Sequence, residues 1–168
     1  VGNEVEIEAP NGTFVFDGGQ AESVALIAAG VGITPMMSVA RYLTETGWSG
    51  NIALILGFRA PRDFIFREEL ERLTVRNPNL SVTVTMSQPE AGQWFGRRGR
   101  IDTALLASVG DLTRRTVHIC GPPAMMDAVK DAVRVLGIDE TRIKTEAFGT
   151  VTRDPSAKRR RTSDAAGT

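Results

Sequence analysis

Four apolar runs separated by segments of helical period constrain this chain more than any other feature. Val24 to Ala29, Ile52 to Phe58, Leu80 to Met86 and Val117 to Cys120 are near-continuous stretches of β-branched and aliphatic residues, each long enough for a strand covered on both faces. A fifth, weaker strand is predicted over Arg142 to Phe148. Between them, Pro35 to Thr46, Phe66 to Val75, a short Asp102 to Ser108 segment and Pro123 to Leu136 repeat apolar residues at helical spacing. Parallel neighbours cannot be joined by a hairpin, so this rhythm predicts an α/β fold: a doubly wound, five-stranded parallel sheet with crossover helices.

The helix punctuation agrees. Thr34 is expected to cap the first helix with its hydroxyl while Pro35 takes the first helical position. Gly47 and Gly137 stand just past two helix ends, where a left-handed residue is wanted.

The two ends of the chain read differently. Val5 and Ile7 alternate with glutamates, and Pro10-Asn11-Gly12 marks a turn before Phe14-Val15-Phe16, a hairpin-like β unit too small to stand alone. After Phe148 the periodicity stops. Residues 150–168 are polar and basic, with Lys158-Arg159-Arg160-Arg161, and are expected to be a disordered linker or tail.

At 168 residues the chain can bury one core of ordinary size, so one complete domain with terminal pieces is expected of it, not a large multidomain enzyme. Its formal charge is zero; five basic and two acidic side chains follow residue 150, leaving −3 on the body, so a whole-domain nucleic-acid binder is not expected. The single cysteine, Cys120, excludes a disulfide scaffold and leaves no thiolate metal cage, which fits a reducing, cytoplasmic setting. Val24 to Met37 is shorter than the ~20 apolar residues of a membrane span, and the amino terminus lacks a signal-peptide pattern. No membrane association is expected. Val1 is not an initiator methionine, from which an upstream beginning is expected.

Two loops carry the chemistry. Gly30-Val31-Gly32-Ile33-Thr34-Pro35 joins the first buried strand to the first helix, where small residues let a ligand approach the backbone and the helix amino end favours a phosphate. It departs from the ordinary dinucleotide fingerprint: the third glycine is absent, and the next strand ends in Gly57-Phe58-Arg59, not in an acidic residue. Taken alone, such a loop equally well makes only a tight turn. Cys120-Gly121-Pro122-Pro123-Ala124-Met125-Met126 ends the fourth long strand and opens the last helix. In a doubly wound sheet the first and fourth strands can be neighbours across the switch point, with both loops facing one ligand. Met126 reads as core in any case. His118, the single histidine, sits in an apolar strand without metal-ligand companions and reads as structural; no metal site is expected.

Together with Gly2-Asn3-Glu4-Val5, Gly12-Thr13-Phe14, Phe66-Arg67-Glu68-Glu69-Leu70, Gly99-Arg100-Ile101 and Glu146-Ala147-Phe148, these segments resemble, in family order, the ferredoxin-NADP⁺ reductase superfamily. The likeness is greatest to the flavin-dependent reductase components of oxygenases that carry a plant-type ferredoxin domain. It implies that residues 1–20 are the end of an FAD-binding barrel, 21–149 an NAD(P)H-binding domain, and 150–168 a linker toward a ferredoxin domain. It also implies that Gly30 to Pro35 hold the cofactor pyrophosphate and that Cys120, Gly121, Pro122, Pro123 and Met125 lie beside the nicotinamide. Glu146 and Phe148 resemble the terminal acidic and aromatic pair near the flavin, with Cys120 a neighbour of the reacting carbon and not a nucleophile.

The same resemblance assigns Arg59 and Arg100 to the 2′-phosphate of NADPH, with Ser87 beside them. Gln88 stands where many NADPH-using members have arginine, which leaves both NADPH and NADH open; the two arginines lean toward NADPH, and Arg97 and Arg98 are further cations nearby. FAD and a [2Fe-2S] centre are implied for the intact protein only. The flavin-recognising Arg-x-Tyr-Ser/Thr pattern is missing, since Arg41-Tyr42-Leu43-Thr44 has the wrong spacing and falls on a helix, so poor FAD binding is expected of this stretch alone. The implied partners are the FAD-binding and ferredoxin domains of the same polypeptide and an oxygenase or other acceptor. A flavin reductase, a flavohaemoglobin-type reductase and a non-catalytic nucleotide-binding module are the alternatives.

Overall fold

A computed structural model of the chain describes residue 2 and residues 12–148. Six strands, β1 (Ser23–Ala29), β2 (Asn51–Phe58), β3 (Leu80–Met86), β4 (Arg97–Arg98), β5 (Thr116–Cys120) and β6 (Ile143–Glu146), form one sheet in the order β4-β3-β2-β1-β5-β6. Every pairing is parallel. The chain moves outward from β1 to β4, returns to the other side of β1 at β5, and so places a switch point between β1 and β5. The expected neighbourhood of the first and fourth long strands is realised in the Ala28–Cys120 register.

Helices α1 (Ile33–Glu45) and α2 (Arg67–Arg76) cover one face; α3 (Thr103–Ala107) and α4 (Pro123–Val135) cover the other. Strand alternation divides the core between them. Val24, Leu26 and Ala28 pack under Met36, Met37, Ala40 and Leu43 of α1, while Ala25 and Ile27 face Leu105, Leu106, Val129 and Val133. Met126 is in the second cluster, as its spacing indicates. Because β1, β2 and β5 are buried on both faces, their sequences are apolar beyond their first residues except at His118.

Both glycine stops hold. The Gly47 N–H donates to the Thr44 carbonyl and the Trp48 N–H to that of Leu43; Gly137 and Ile138 repeat the pattern on Arg134 and Val133. These paired bonds satisfy helix-end carbonyls, and the positive φ of 67° and 77° at the two glycines is what they require.

Three expectations need correction. The sheet has six strands, not five: β4 is two exposed arginines, joined to β3 through their backbone, and carries no apolar pattern to reveal it. Phe14 to Phe16 is not a strand. It lies as an extended cover on β5, with Phe16 buried in the α1-side core; residues 3–11, the rest of the expected hairpin, lie outside the described part, as do residues 149–168 and the basic cluster. Finally, α1 begins at Ile33 after a 3-10 turn over Gly30–Gly32, so Thr34 stands in the first helical turn. Its hydroxyl donates to the Val31 carbonyl (2.9 Å) and does not cap the helix; burial of the Ile33 side chain draws the helix start two residues ahead of Pro35.

Between the two helices of the first face, Arg41 donates through Nε (2.5 Å) and Nη2 (2.8 Å) to both oxygens of Glu69, and its guanidinium lies 5.2 Å from the Phe66 ring centroid. Phe66 pays for this place with a left-handed backbone, φ 60°. The pair raises the Arg41 pKa and lowers that of Glu69, each chiefly through the hydrogen bond.

Candidate functional site

Every sequence-nominated residue stands at or just beyond the carboxyl ends of the strands. The structure sorts them into two groups along that edge. Gly30 to Pro35, Cys120 to Pro123, Met125, Glu146 and Phe148 gather at the ends of β1, β5 and β6. Arg59, Ser87, Gln88 and Arg100 gather at the ends of β2, β3 and β4. From β5 to β3 the edge crosses three inter-strand spacings, about 14 Å.

The first group is locked by contact. Gly32 has an ordinary helical backbone, φ −61° and ψ −11°, yet a Cβ there would run into the Cys120 carbonyl and stand 2.7 Å from the Gly121 nitrogen. Gly121 is closed on both sides as well: its missing Cβ is filled by the Met125 methyl and would lie 3.0 Å from the Ala29 carbonyl oxygen. The two loops therefore touch through backbone, and their glycines are the condition for doing so. Gly30 differs. Its φ of 55° suits glycine, and nothing lies within 4 Å of where a Cβ would project. The outer surface of the loop is thus open where an incoming phosphate would meet it.

Two 13-residue helices start at this junction, α1 from the glycine turn and α4 from Pro122-Pro123, with Pro123 at the first helical position as anticipated. The Ile33 N–H is already held by the Gly30 and Val31 carbonyls, Pro123 has no N–H, and those of Met125 and Met126 return to the Pro122 carbonyl, so the two helices contribute chiefly their positive ends. A cradle of this kind fits an anionic pyrophosphate.

Cys120 is fully buried, and its thiol is pushed up to about 11, first by burial and then by the nearby Glu146 carboxylate, its register partner on β6. A thiol in that state is not a nucleophile at neutral pH. Alkylation by iodoacetamide at pH 7.5 is therefore expected only once denaturant is added; rapid stoichiometric labelling of the folded chain would contradict this placement. Around it, Thr34, Pro122 and Pro123 are exposed, Glu146 is half-buried, and Phe148 is 55% exposed.

In the second group, Arg59 is tied to Gln88 twice. The Gln88 N–H donates to the Arg59 carbonyl (2.8 Å), and Arg59 Nη2 donates to Gln88 Oε1 (3.1 Å). Ser87 extends the same ladder onto the Phe58 carbonyl (2.9 Å). Among the described residues neither Arg59 nor Arg100 is in an ion pair, whereas Arg97 is paired with Asp102 at 3.1 Å. Gly57, named in the sequence only as part of Gly57-Phe58-Arg59, is where a Cβ would press on Ile101 (3.3 Å); Thr85, a fully buried hydroxyl, left no signal in the sequence.

His118 lies in β5 below the site, between the rings of Phe14 (5.1 Å) and Phe16 (5.7 Å), with Nε2 3.4 Å from the Val15 carbonyl oxygen. Lys144 donates to the same oxygen (3.2 Å). The role is structural, as the sequence indicates. A polar concavity of about 540 Å³, lined by Gly18 to Glu22 and Trp48 to Asn51, opens at the opposite, amino end of the sheet and has no part in this arrangement.

A switch-point crevice lined by two helix amino ends and a glycine turn defines a nucleotide-binding α/β domain. Residues 26–131 match the family model described as the oxidoreductase NAD-binding domain, and the chain belongs to that family, as an NAD(P)-binding domain of the ferredoxin-NADP⁺ reductase superfamily. It is 33% identical over 160 residues to the glycine betaine monooxygenase reductase subunit of Chromohalobacter salexigens, covering 94% of this chain and 44% of that protein. It is 35% identical over 139 residues to the NADH oxidoreductase HCR of Escherichia coli, covering 83% and 40%. Among solved structures, the flavohem-like FAD/NAD-binding domain of nitric oxide dioxygenase from Vibrio cholerae superposes with a TM-score of 0.72 at 25% identity, over 84% of this chain and 56% of that one. The chain spans less than half the length of the two curated relatives. No helix of the described residues is long and apolar enough to cross a membrane.

Proposed function

We propose that this chain is the NAD(P)H-binding part of a flavin-dependent reductase that, in the intact protein, passes reducing equivalents through FAD and a [2Fe-2S] centre to an oxygenase. The supporting observation is the backbone contact of the Gly30–Pro35 and Cys120–Pro123 loops, which makes one crevice from two strands. When bound, NAD(P)H supplies a hydride from its nicotinamide C4 to the flavin. The protein's own share is alignment. The glycine turn and the positive end of α1 would hold the pyrophosphate; the Cys120–Pro123 loop would lie beside the nicotinamide, with Thr34 and Glu146 to orient it; Phe148 would give an apolar surface to the flavin. Cys120, neutral and buried, would add shape and no charge.

Residues 1–20 are proposed as the end of a flavin-binding barrel, 21–149 as the nucleotide domain and 150–168 as a linker to a ferredoxin domain, in a cytoplasmic protein. The reductase-subunit relative supports the oxygenase partner, and the flavohem-like neighbour supports a flavohaemoglobin-type alternative. A cysteine-rich iron-sulfur motif after Thr168 in the complete gene distinguishes the two.

The outer group sets nucleotide choice. Arg59 and Arg100 lie where an adenosine 2′-phosphate would reach the ends of β2 and β3, and NADPH is expected to bind more tightly than NADH. Each charge-assisted hydrogen bond to a phosphate contributes about 1.5–3 kcal/mol, so Arg59→Gln with Arg100→Gln should weaken NADP⁺ by at least ~10-fold and NAD⁺ by little, read by calorimetric titration. Equal losses for both nucleotides would remove the two arginines from this role.

A further inference from the structure

We infer that Thr85, which no bound nucleotide can touch, is a positioning residue for 2′-phosphate discrimination, acting through Arg100; this rests on the proposed role of Arg100. Thr85 lies on β3 and is fully buried, an uncommon place for a hydroxyl, and its Oγ1 donates to the Gly99 carbonyl at 2.8 Å. The other backbone group of Gly99 is held too, its N–H donating to the Met86 carbonyl at 2.8 Å. With φ at 113°, Gly99 adopts a conformation that side chains rarely take, and both its polar groups are pinned to the last residues of β3.

On the other side of Arg100, Ile101 is buried against Gly57, which stands two residues before Arg59. The Arg100 backbone is thereby fixed at both neighbours while its side chain is exposed. One anchor is apolar and non-directional; the other, the Thr85 hydroxyl, is directional and sets the orientation of the peptide that leads into Arg100. The long guanidinium stem starts from that peptide, so a small rotation there moves the charge by ångströms relative to Arg59, which Gln88 holds independently.

The test is calorimetric titration of the wild-type chain, Thr85→Val, Thr85→Ser and Arg100→Gln with two probes, 2′-phospho-ADP-ribose and ADP-ribose. Thr85→Val keeps the shape and β preference of the side chain and removes only the donor. It should reduce the affinity ratio between the two probes about five- to tenfold, with ADP-ribose affinity and the near-ultraviolet dichroism unchanged, and Thr85→Ser should restore the ratio. A parallel fall for both probes would make Thr85 merely structural and overturn the inference. So would an unchanged ratio in Thr85→Val when Arg100→Gln does lower it, leaving the Arg100 role intact. An unchanged ratio in Arg100→Gln would overturn the role of Arg100 itself and this inference with it.

Discussion

Gly32→Ala is expected to abolish measurable nucleotide binding and to destabilise the chain by about 3 kcal/mol, the upper end of the usual range for overpacking a close-packed contact. The backbone at Gly32 is ordinary right-handed helix, so alanine is welcome there on conformational grounds. What it meets is the Cys120 carbonyl and the Gly121 amide, main-chain atoms with no rotamer to escape into. The two loops must part, and the crevice opens at its floor. Gly30→Ala is the matched control for the fold and not for binding, since its methyl would stand where the phosphate is expected. It places a methyl in open space but on a left-handed backbone, a strain of about 1 kcal/mol, with the loop contact preserved. Urea unfolding of both variants checks the contrast in stability, nucleotide titration of Gly32→Ala checks the loss of binding, and wild-type binding by Gly32→Ala would refute the account of how the loops are joined.

Acid is expected to weaken the fold through His118. Burial, aided by Lys144, drives its pKa down to about 4, against the raising effect of the Val15 carbonyl. An unfolded chain takes up this proton near pH 6.5 while the folded chain declines it until about 4, so the stabilisation is complete above pH 6.5 and is lost as pH falls toward 4. A gap of this size is worth about 3 kcal/mol. The cause is local: among the described residues buried Nδ1 has no partner to accept a second ring proton, and the Lys144 ammonium, held on the Val15 carbonyl, opposes the added charge. Phe14 and Phe16 close the remaining sides. In His118→Phe, urea midpoints should vary far less between pH 6.5 and 4.5 than in the wild type. An identical acid limb in both would assign the loss to other groups.

What could be read in advance follows from what periodicity encodes. β1, β2 and β5 are buried on both faces, and their apolar runs announce them; α1 and α4 show their core stripes and their glycine or proline ends at fixed offsets. Cys120 and Gly32 are 88 positions apart, and only the β1–β5 adjacency of the doubly wound order brings their loops together, which is why the motifs were informative as a pair. β4 was illegible because two arginines paired through main chain leave no side-chain pattern. The start of α1 was misplaced because Thr34-Pro35 makes a good local signal, and the burial of Ile33 overrides it. The Val15 carbonyl under His118 joins residues 103 positions apart, and the left-handed Phe66 is held by Arg41 from another helix; neither leaves a trace in local sequence.

The most direct test of the central claim, that the crevice between β1 and β5 holds a nicotinamide dinucleotide, is amide chemical-shift mapping of the chain titrated with NADP⁺. Binding is predicted to move the amides of Gly30 to Thr34, Cys120, Gly121 and Ala124 together with those of Arg59, Gln88 and Arg100, leaving the amino-end concavity around Gly19, Glu22 and Ser49 unmoved. Saturable shifts confined to that amino-end concavity, or none at the two loops at millimolar nucleotide, would contradict it.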